Sequence, residues 1–303
     1  PCAFEPYYVG YEEIASLKEK AVKKLGDAFD DKAFHTALLK SGVAPFNVVE
    51  ENINAYIEKG MRYFCNGLLE NLSYRLSEPE QLPEICETTL AELCSRSISG
   101  LLVLVFSVES AKKILDEIRS SQIGNVDICY SCVADSPVCC NTVLLAPQLA
   151  NLPAFGFSKV VFYDNPPCSG VYTAVSRRMS SASMLRMPCT NSDFGRVALH
   201  FACDRDFMVC SYKLVQSILA ASPCSQGELC GKISNKLNVP VYCALFAVRV
   251  FIELGFIEFT PGGALRNSSE IRPAPLCAST LYSAVERLRT RNFPDSEQDD
   301  SDE

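Results

Sequence analysis

The run LLVLVF at residues 101–106 constrains the fold more than any other stretch of this 303-residue sequence. Six consecutive apolar residues suit a strand that is buried on both faces, and such strands occur in parallel sheets covered by helices. An amphipathic pattern, ESAKKILDEIRSS, follows directly at residues 109–121. A buried strand followed by an amphipathic helix predicts a layered α/β domain.

Four more runs have the length and composition of strands, and each is ended by polar residues or by proline. They are VDICYSC (126–132), TVLLAP (142–147), KVVFYDNPP (159–167) and SMLRMP (183–188), with a helical pattern, GVYTAVSRRMSS, between the last two. The alternation predicts residues 96–202 as a three-layer α/β domain with a mainly parallel sheet. The sequence contains no G-x-x-x-x-G-K-[ST] motif, so this domain is predicted to lack a P-loop.

The sequence before this domain has the pattern of helices. In YEEIASLKEKAVKKL (11–25) the apolar residues recur about every 3.6 positions, which is typical of an amphipathic helix. Similar patterns occupy residues 48–72 and PEICETTLAELCSR (83–96). Residues 1–95 contain 9 Lys and Arg against 16 Asp and Glu, a net charge of −7. We therefore predict an acidic helical block.

Residues 203–291 are predicted to form a winged helix. Asp204 can cap a first helix, and SQGE (225–228) is a capping-box match that opens a second one. A third helix begins at Pro240, since proline is favoured in the first turn. The segment FIEFTPGGALRNS (256–268) predicts a β-hairpin around Pro-Gly-Gly. Three helices closed by a hairpin are the winged-helix arrangement.

Charge is distributed unevenly along the chain, whose net charge is −8. Residues 96–202 carry +2 and residues 203–291 carry +3, whereas residues 292–303 contain six acidic residues and no basic one. The acidic tail is predicted to be disordered, because it cannot bury apolar surface. The mildly basic winged helix is compatible with nucleic-acid binding.

The sixteen cysteines lie mostly inside apolar runs, which predicts reduced, buried thiols and a cytoplasmic protein. The stretch DICYSCVADSPVCC (127–140) suggests a zinc site. However, a strand directs residues three positions apart to opposite faces, so Cys129 and Cys132 cannot easily hold one ion. We predict no metal or other cofactor in this chain. No apolar run approaches the ~20 residues that cross a bilayer, so no membrane partner is expected.

Two further places contain residues that catalysis could use. His200 ends a β-rich run and lies near Cys203, Asp204 and Asp206, but both aspartates suit the first turn of a helix. Asp164 ends a strand where α/β sheets often place functional residues, although it can equally form a turn. No nucleophile-elbow or dinucleotide-binding motif accompanies them. The sequence therefore contains no catalytic motif, and catalytic residues are not predicted.

Nucleic-acid binding is the activity that residues 203–291 favour. In winged helices the third helix commonly enters a groove of DNA and the wing contacts the backbone. Lys and Arg bind phosphates and release counterions. The predicted nucleic-acid-binding residues are Lys232 and Lys236 of the second helix, Arg249 of the third, and Arg266 and Arg272 near the wing. The alternatives are a solvated face or a surface that packs on a protein partner.

Five stretches follow one another between residues 100 and 290: LLVLVFSVESAKKIL, KVVFYDNPP, CDRDFMVCSYKLVQSIL, ALFAVRVFIELGFIEF and STLYSAVERLR. Their order and spacing resemble the C-terminal region of the RecJ family of single-strand-specific DNA exonucleases. The resemblance implies a non-catalytic accessory region that assists DNA or partner binding in DNA repair and recombination. The sequence has no Asp-His-His motif, so none of the family's catalytic residues can be carried onto it.

The resemblance also implies partners. The chain begins at Pro1 rather than Met, so we expect a 5′–3′ exonuclease core upstream in the same polypeptide, and Mn²⁺ or Mg²⁺ only there. The expected partner is single-stranded DNA or a repair protein. The alternative is a stand-alone winged-helix adaptor or DNA-binding regulator with no link to a nuclease.

Overall fold

The structure, a computed structural model, describes residues 5–25, 31–41, 46–74, 82–96, 100–133, 140–188, 193–269 and 273–290. It is a mixed α/β protein that contains a parallel six-stranded sheet. The chain divides into two compact units. The first comprises residues 1–64, 83–165 and 176–192, and the second comprises residues 65–82, 166–175 and 193–303.

The sheet of the first unit has the strand order β1-β6-β5-β2-β4-β3. The strands are β1 Glu84–Ile85, β2 Leu101–Val105, β3 Val126–Tyr130, β4 Asn141–Leu145, β5 Lys159–Phe162 and β6 Ser183–Arg186. Every residue of β2 and of β4 is buried, as expected for central strands of a parallel sheet. The five strands predicted from apolar runs are confirmed, and β3 and β1 lie at the two edges.

Six helices precede or connect these strands. They are α1 Glu5–Leu25, α2 Asp31–Lys40, α3 Phe46–Leu72, α4 Leu90–Arg96, α5 Val108–Ser120 and α6 Gly170–Arg178. Helix α1 buries Leu17 and Ala21, and Lys18 on the same helix pairs with Asp31 at 2.5 Å. Helix α5 follows β2 as predicted. Apolar spacing therefore identified α1, α3, α5 and α6, whereas α2 was not predicted.

The helix predicted over residues 83–96 begins later than expected. Residues 84–85 form β1, which pairs in parallel with β6, and the N–H of Cys86 donates to the carbonyl oxygen of Arg186 at 2.8 Å. Helix α4 starts only at Leu90. The prediction was wrong for the first residues of this segment because pairing with a strand far along the chain overrides a local helical pattern.

The second unit contains short α7 and then three helices, a hairpin and a last helix. They are α7 Gly195–Ala198, α8 Arg205–Ala221, α9 Gln226–Leu237, α10 Val241–Glu253, β7 Ile257–Phe259, β8 Leu265–Asn267 and α11 Thr280–Thr290. The predicted caps are confirmed. The Asp204 carboxylate accepts the N–H of Phe207 at 2.8 Å, and the Ser225 hydroxyl accepts the N–H of Glu228 at 3.2 Å. Gly255, at φ +72°, follows α10 in a conformation that favours glycine.

Candidate functional site

The carboxyl ends of the parallel strands in the first unit meet at one edge, where open α/β sheets commonly bind ligands. Strands β2 and β5 are neighbours there. The chain continues from β2 to β3 on one side of the sheet and from β5 to β6 on the other side. Asp164 follows β5 at this point and is only 1% exposed. This edge is therefore the first candidate site.

Asp164 bonds to the backbone that follows β2. Its Oδ1 accepts the N–H of Phe106 and its Oδ2 accepts the N–H of Ser107, both at 2.8 Å. Burial raises the pKa of the Asp164 carboxyl, and the hydrogen bonds from Phe106, Ser107 and Ser110 act in the opposite direction. Because both oxygens are occupied by donors of the same chain, Asp164 ties β5 to β2. Its geometry is that of a structural connection and not of a catalytic carboxylate.

The ends of β3 and β4 carry two residues in the left-handed region. Ser131 has φ +64° and Ala146 has φ +50°, and such a conformation costs about 1–3 kcal/mol in a residue other than glycine. The Ser131 hydroxyl oxygen is buried, and no described residue forms a hydrogen bond with it. Within the described ranges, no group of three or more His, Cys, Asp or Glu residues could hold a metal ion. This edge therefore presents individual polar groups and not an assembled catalytic set.

Two described thiols of the cysteine-rich stretch, those of Cys129 and Cys140, lie far apart. Cys129 lies in β3 opposite Leu144 of β4, whereas Cys140 immediately precedes β4. Four positions along a strand correspond to roughly 13 Å at about 3.3 Å per residue. Sulfur atoms that share a zinc ion each lie at about 2.3 Å from it. These two thiols are therefore too far apart to bind the same ion, and Cys139 lies outside the described residues.

The region around His200 differs from the prediction. The residues before it form helix α7, not a β-rich run, because the Asp193 carboxylate caps a turn by accepting the N–H of Gly195 at 2.9 Å. Cys203 is buried and accepts a hydrogen bond from Arg289. Burial raises the pKa of the Cys203 thiol, and Arg289 opposes that shift. Asp204 caps α8, so Cys203 and Asp204 each have a structural partner.

The predicted nucleic-acid-binding residues occupy different environments. Lys232 is exposed on α9 and pairs with Glu228 at 2.7 Å, and Arg266 of the hairpin pairs with Glu258 at 2.8 Å. Lys236 is exposed in the last turn of α9.

The other two predicted nucleic-acid-binding residues are Arg249 and Arg272. Arg249 is half-buried on α10. Burial lowers the pKa of its guanidinium, and the Glu70 carboxylate opposes the shift. Arg272 lies outside the described residues. Lys232 and Lys236 are both exposed on α9 and lie one helical turn apart.

Helix α10 is enclosed within its unit. Its buried residues are Tyr242, Cys243, Ala244, Phe246, Ala247, Val248, Val250 and Phe251. Only the two ends, Val241 and Glu253, are exposed. Leu245, Arg249 and Ile252 are half-buried on the same side of the helix as these two ends. A helix that reads bases must present polar side chains to the groove, and Arg249 is the only polar side chain between the ends of this strip.

One important contact escaped the sequence analysis. The Glu253 carboxylate at the end of α10 accepts the hydroxyl of Ser279 at 2.6 Å, the hydroxyl of Thr280 at 3.2 Å and the N–H of Leu281 at 3.0 Å. It therefore caps α11 from another helix. The only local signal was Ser-Thr at the start of α11, and that signal does not identify a distant glutamate.

Comparison with known proteins identifies one family model, described as a bacterial protein of unknown function (DUF885), which matches residues 4–53. The match covers α1, α2 and the first part of α3. No curated protein and no solved structure matches the chain significantly. In the part of the chain that the structure describes, no helix has both the length and the apolar character needed to span a bilayer.

These comparisons correct the RecJ prediction. The matching family is DUF885, and no match supports RecJ. The RecJ resemblance, the accessory role in an exonuclease and the roles in DNA repair and recombination are therefore wrong. The stretches that suggested RecJ are buried strands and capped helices. Similar patterns arise wherever an α/β chain must bury strands and cap helices, so they do not identify a family.

Proposed function

We propose that residues 203–291 form a winged-helix module that binds a protein partner and has no catalytic role of its own. The enclosure of α10 is the observation that carries this proposal. In DNA-binding winged helices the third helix supplies the side chains that contact bases. Here that helix is buried, and its only cation, Arg249, lies near Glu70 of the same unit.

Helix α8 provides a surface for such a partner. Its exposed residues recur every three or four positions and include Val209, Cys210, Ser217 and Ala220. The exposed charges are Arg205 and Asp206 in the first turn and Lys213 in the middle of the helix. Charged residues are depleted at the cores of protein interfaces. A face of small and apolar side chains with its charges mostly at one end therefore suits an apolar helix of a partner protein.

The proposal can be tested by replacing Val209, which is 41% exposed. Proteins cross-linked to the full-length chain in its native cells would be compared between wild type, Val209→Glu and a control, Asn235→Glu, on the exposed face of α9. We expect a specific partner to be lost in Val209→Glu and retained in Asn235→Glu. A partner set that is identical in all three proteins would refute the α8 surface.

A second candidate function is nucleic-acid binding, which is favoured by the exposed face that Lys232 and Lys236 share on α9. The other predicted contributors are Arg249, Arg266 and Arg272. Binding of labelled single-stranded and duplex oligonucleotides would be measured at several salt concentrations. If this function is correct, replacing both lysines by alanine should reduce the slope of log K against log salt by about 2. Arg287→Ala, an exposed cation on α11, is the control. If the wild-type chain binds no oligonucleotide with a dissociation constant below about 10⁻⁴ M, nucleic-acid binding is excluded.

The organisation of the whole chain is part of the same proposal. We propose an acidic helical block at residues 1–95, an α/β domain at 96–202, the winged helix at 203–291 and a disordered tail at 292–303. Helices α1 to α3 support the helical character of the first block, although β1 at residues 84–85 belongs to the sheet. We further propose a cytoplasmic location, which is supported by the absence of a disulfide among the described cysteines. We also propose that this chain binds no cofactor.

A further inference from the structure

Strand β3 is the last strand of the sheet in the first unit, and no other described strand pairs with its outer edge. The carbonyl oxygen of Asn125 and the N–H of Ser131 both bond to the chain at β4. Because backbone direction alternates along a strand, odd-numbered residues direct their N–H and C=O groups towards β4. The corresponding groups of Val126 and Ile128 are directed towards the outer edge, whereas the carbonyl oxygen of Tyr130 accepts the N–H of Cys132 at 2.7 Å.

The side chains on this strand are unusually apolar for an open edge. Ile128 is 42% exposed and Tyr130 is 44% exposed. The Tyr130 ring lies against Tyr63 of α3, with 5.3 Å between ring centroids. Natural edge strands are commonly protected by lysine, proline or a bulge. The five residues VDICY contain neither lysine nor proline, and their only charge is Asp127.

We infer that β3 pairs with β3 of a second copy of this chain, antiparallel and centred on Ile128. In this register Ile128 faces the partner's Ile128, and Val126 faces the partner's Tyr130. Pairs of β-branched and aromatic side chains are favourable across antiparallel strands. Ile128 of each copy donates its N–H to the other copy's carbonyl oxygen, and the two sheets become one.

Charge and symmetry favour a second copy over a foreign peptide. Asp127 is one residue away from the two-fold axis, so it faces the partner's Cys129 and not another carboxylate. The strand is therefore complementary to itself on both faces without any like-charge pair. A contact of five residues on each side is small for a protein interface, so the dimer is expected to be weak and concentration-dependent.

The first test is sedimentation equilibrium of the full chain across the micromolar range. Ile128→Lys places two like charges opposite each other at the axis and should raise the dimer dissociation constant about tenfold or more. The matched control is Ile85→Lys, because Ile85 is 50% exposed on β1 at the other edge of the same sheet. Circular dichroism of both variants verifies folding. A wild-type chain that stays monomeric, or a dimer that survives Ile128→Lys, would overturn the inference.

Hydrogen exchange of the wild-type chain provides a test that needs no variant. The peptide containing residues 126–130 should become more protected as protein concentration rises, because its outward N–H groups then acquire partners. A peptide from the opposite edge, containing residues 84–85, should not change. Protection at 126–130 that is independent of concentration would overturn the inference, even if Ile128→Lys failed to fold.

Discussion

Replacing Asp164 by alanine should destabilise the protein more than any surface substitution. The change removes the acceptor of two N–H groups, those of Phe106 and Ser107. Both residues are buried, with 5% and 0% exposure, so water cannot easily replace the carboxylate. Each unsatisfied buried donor costs about 1–3 kcal/mol, which gives about 2–6 kcal/mol for the pair. That is a large part of the about 5–15 kcal/mol that stabilises a typical protein.

Urea unfolding followed by far-ultraviolet circular dichroism is the appropriate assay, since the chain contains no tryptophan. With an m-value of about 3 kcal/mol/M, a loss of 3 kcal/mol lowers the midpoint by about 1 M. The matched control is Asp116→Ala, an exposed carboxylate on α5 of the same unit. Its effect should stay within about 0.5 kcal/mol.

A local measurement separates this mechanism from general destabilisation. Under native conditions, amide exchange at Phe106 and Ser107 should accelerate in Asp164→Ala, while amides in the second unit keep their wild-type protection. An unchanged midpoint together with unchanged exchange at both amides would refute the reasoning. The Asp164 carboxylate would then contribute nothing measurable to stability and would not connect β5 to β2.

Three further outcomes follow from the same contacts. Burial raises the pKa of Asp164 in the folded protein above its unfolded value of about 3.9. The stability that this carboxyl group contributes is therefore fully present below the unfolded pKa. It is lost as pH rises through the folded pKa. The unfolding free energy of wild type minus that of Asp164→Asn should therefore fall as pH rises from 3, and a rising difference in urea titrations would contradict this. Glu253→Ala should lower the free energy of unfolding by about 1–3 kcal/mol and speed proteolysis at α11. Its control is Glu286→Ala, an exposed residue on α11 itself, which should behave as wild type. Purified protein should contain much less than one equivalent of zinc by atomic emission, and a full equivalent that Cys129→Ser removes would overturn the separation of the thiols.

The strands and most helices could be predicted because their signals are local. A strand buried on both faces, such as residues 101–105, can be built only from apolar residues, and an amphipathic helix must repeat its apolar stripe about every 3.6 residues. Capping works in the same way, since Asp204 and Ser225 bond to N–H groups three residues away. Fold class and element order are consequences of these short-range rules.

The candidate sites could not be predicted as well, because they depend on contacts between distant residues. Nothing in the sequence around Arg249 indicates that Glu70 lies nearby. The pair of Lys232 with Glu228 is different, because two residues four positions apart on a helix are neighbours and the sequence already indicates their contact. For the cysteine stretch, the alternation of side chains along a strand was enough to predict that Cys129 and Cys132 cannot easily hold one ion. The distance between Cys129 and Cys140 depends on the parallel register of β3 and β4, which the sequence does not indicate.

The sequence alone thus determined five of the six strands of the parallel sheet, most of the helices and the caps at Asp204 and Ser225, because burial and backbone hydrogen bonding act over a few residues. Only the tertiary structure decided the order of the strands, the pairing of β1 with β6 and the connection of Asp164 to the end of β2. These depend on segments brought together by the topology of the sheet. Such contacts depend on how distant segments are positioned in the folded chain. Many kinds of side chain can form them, so the sequence near either partner shows no pattern that predicts the contact.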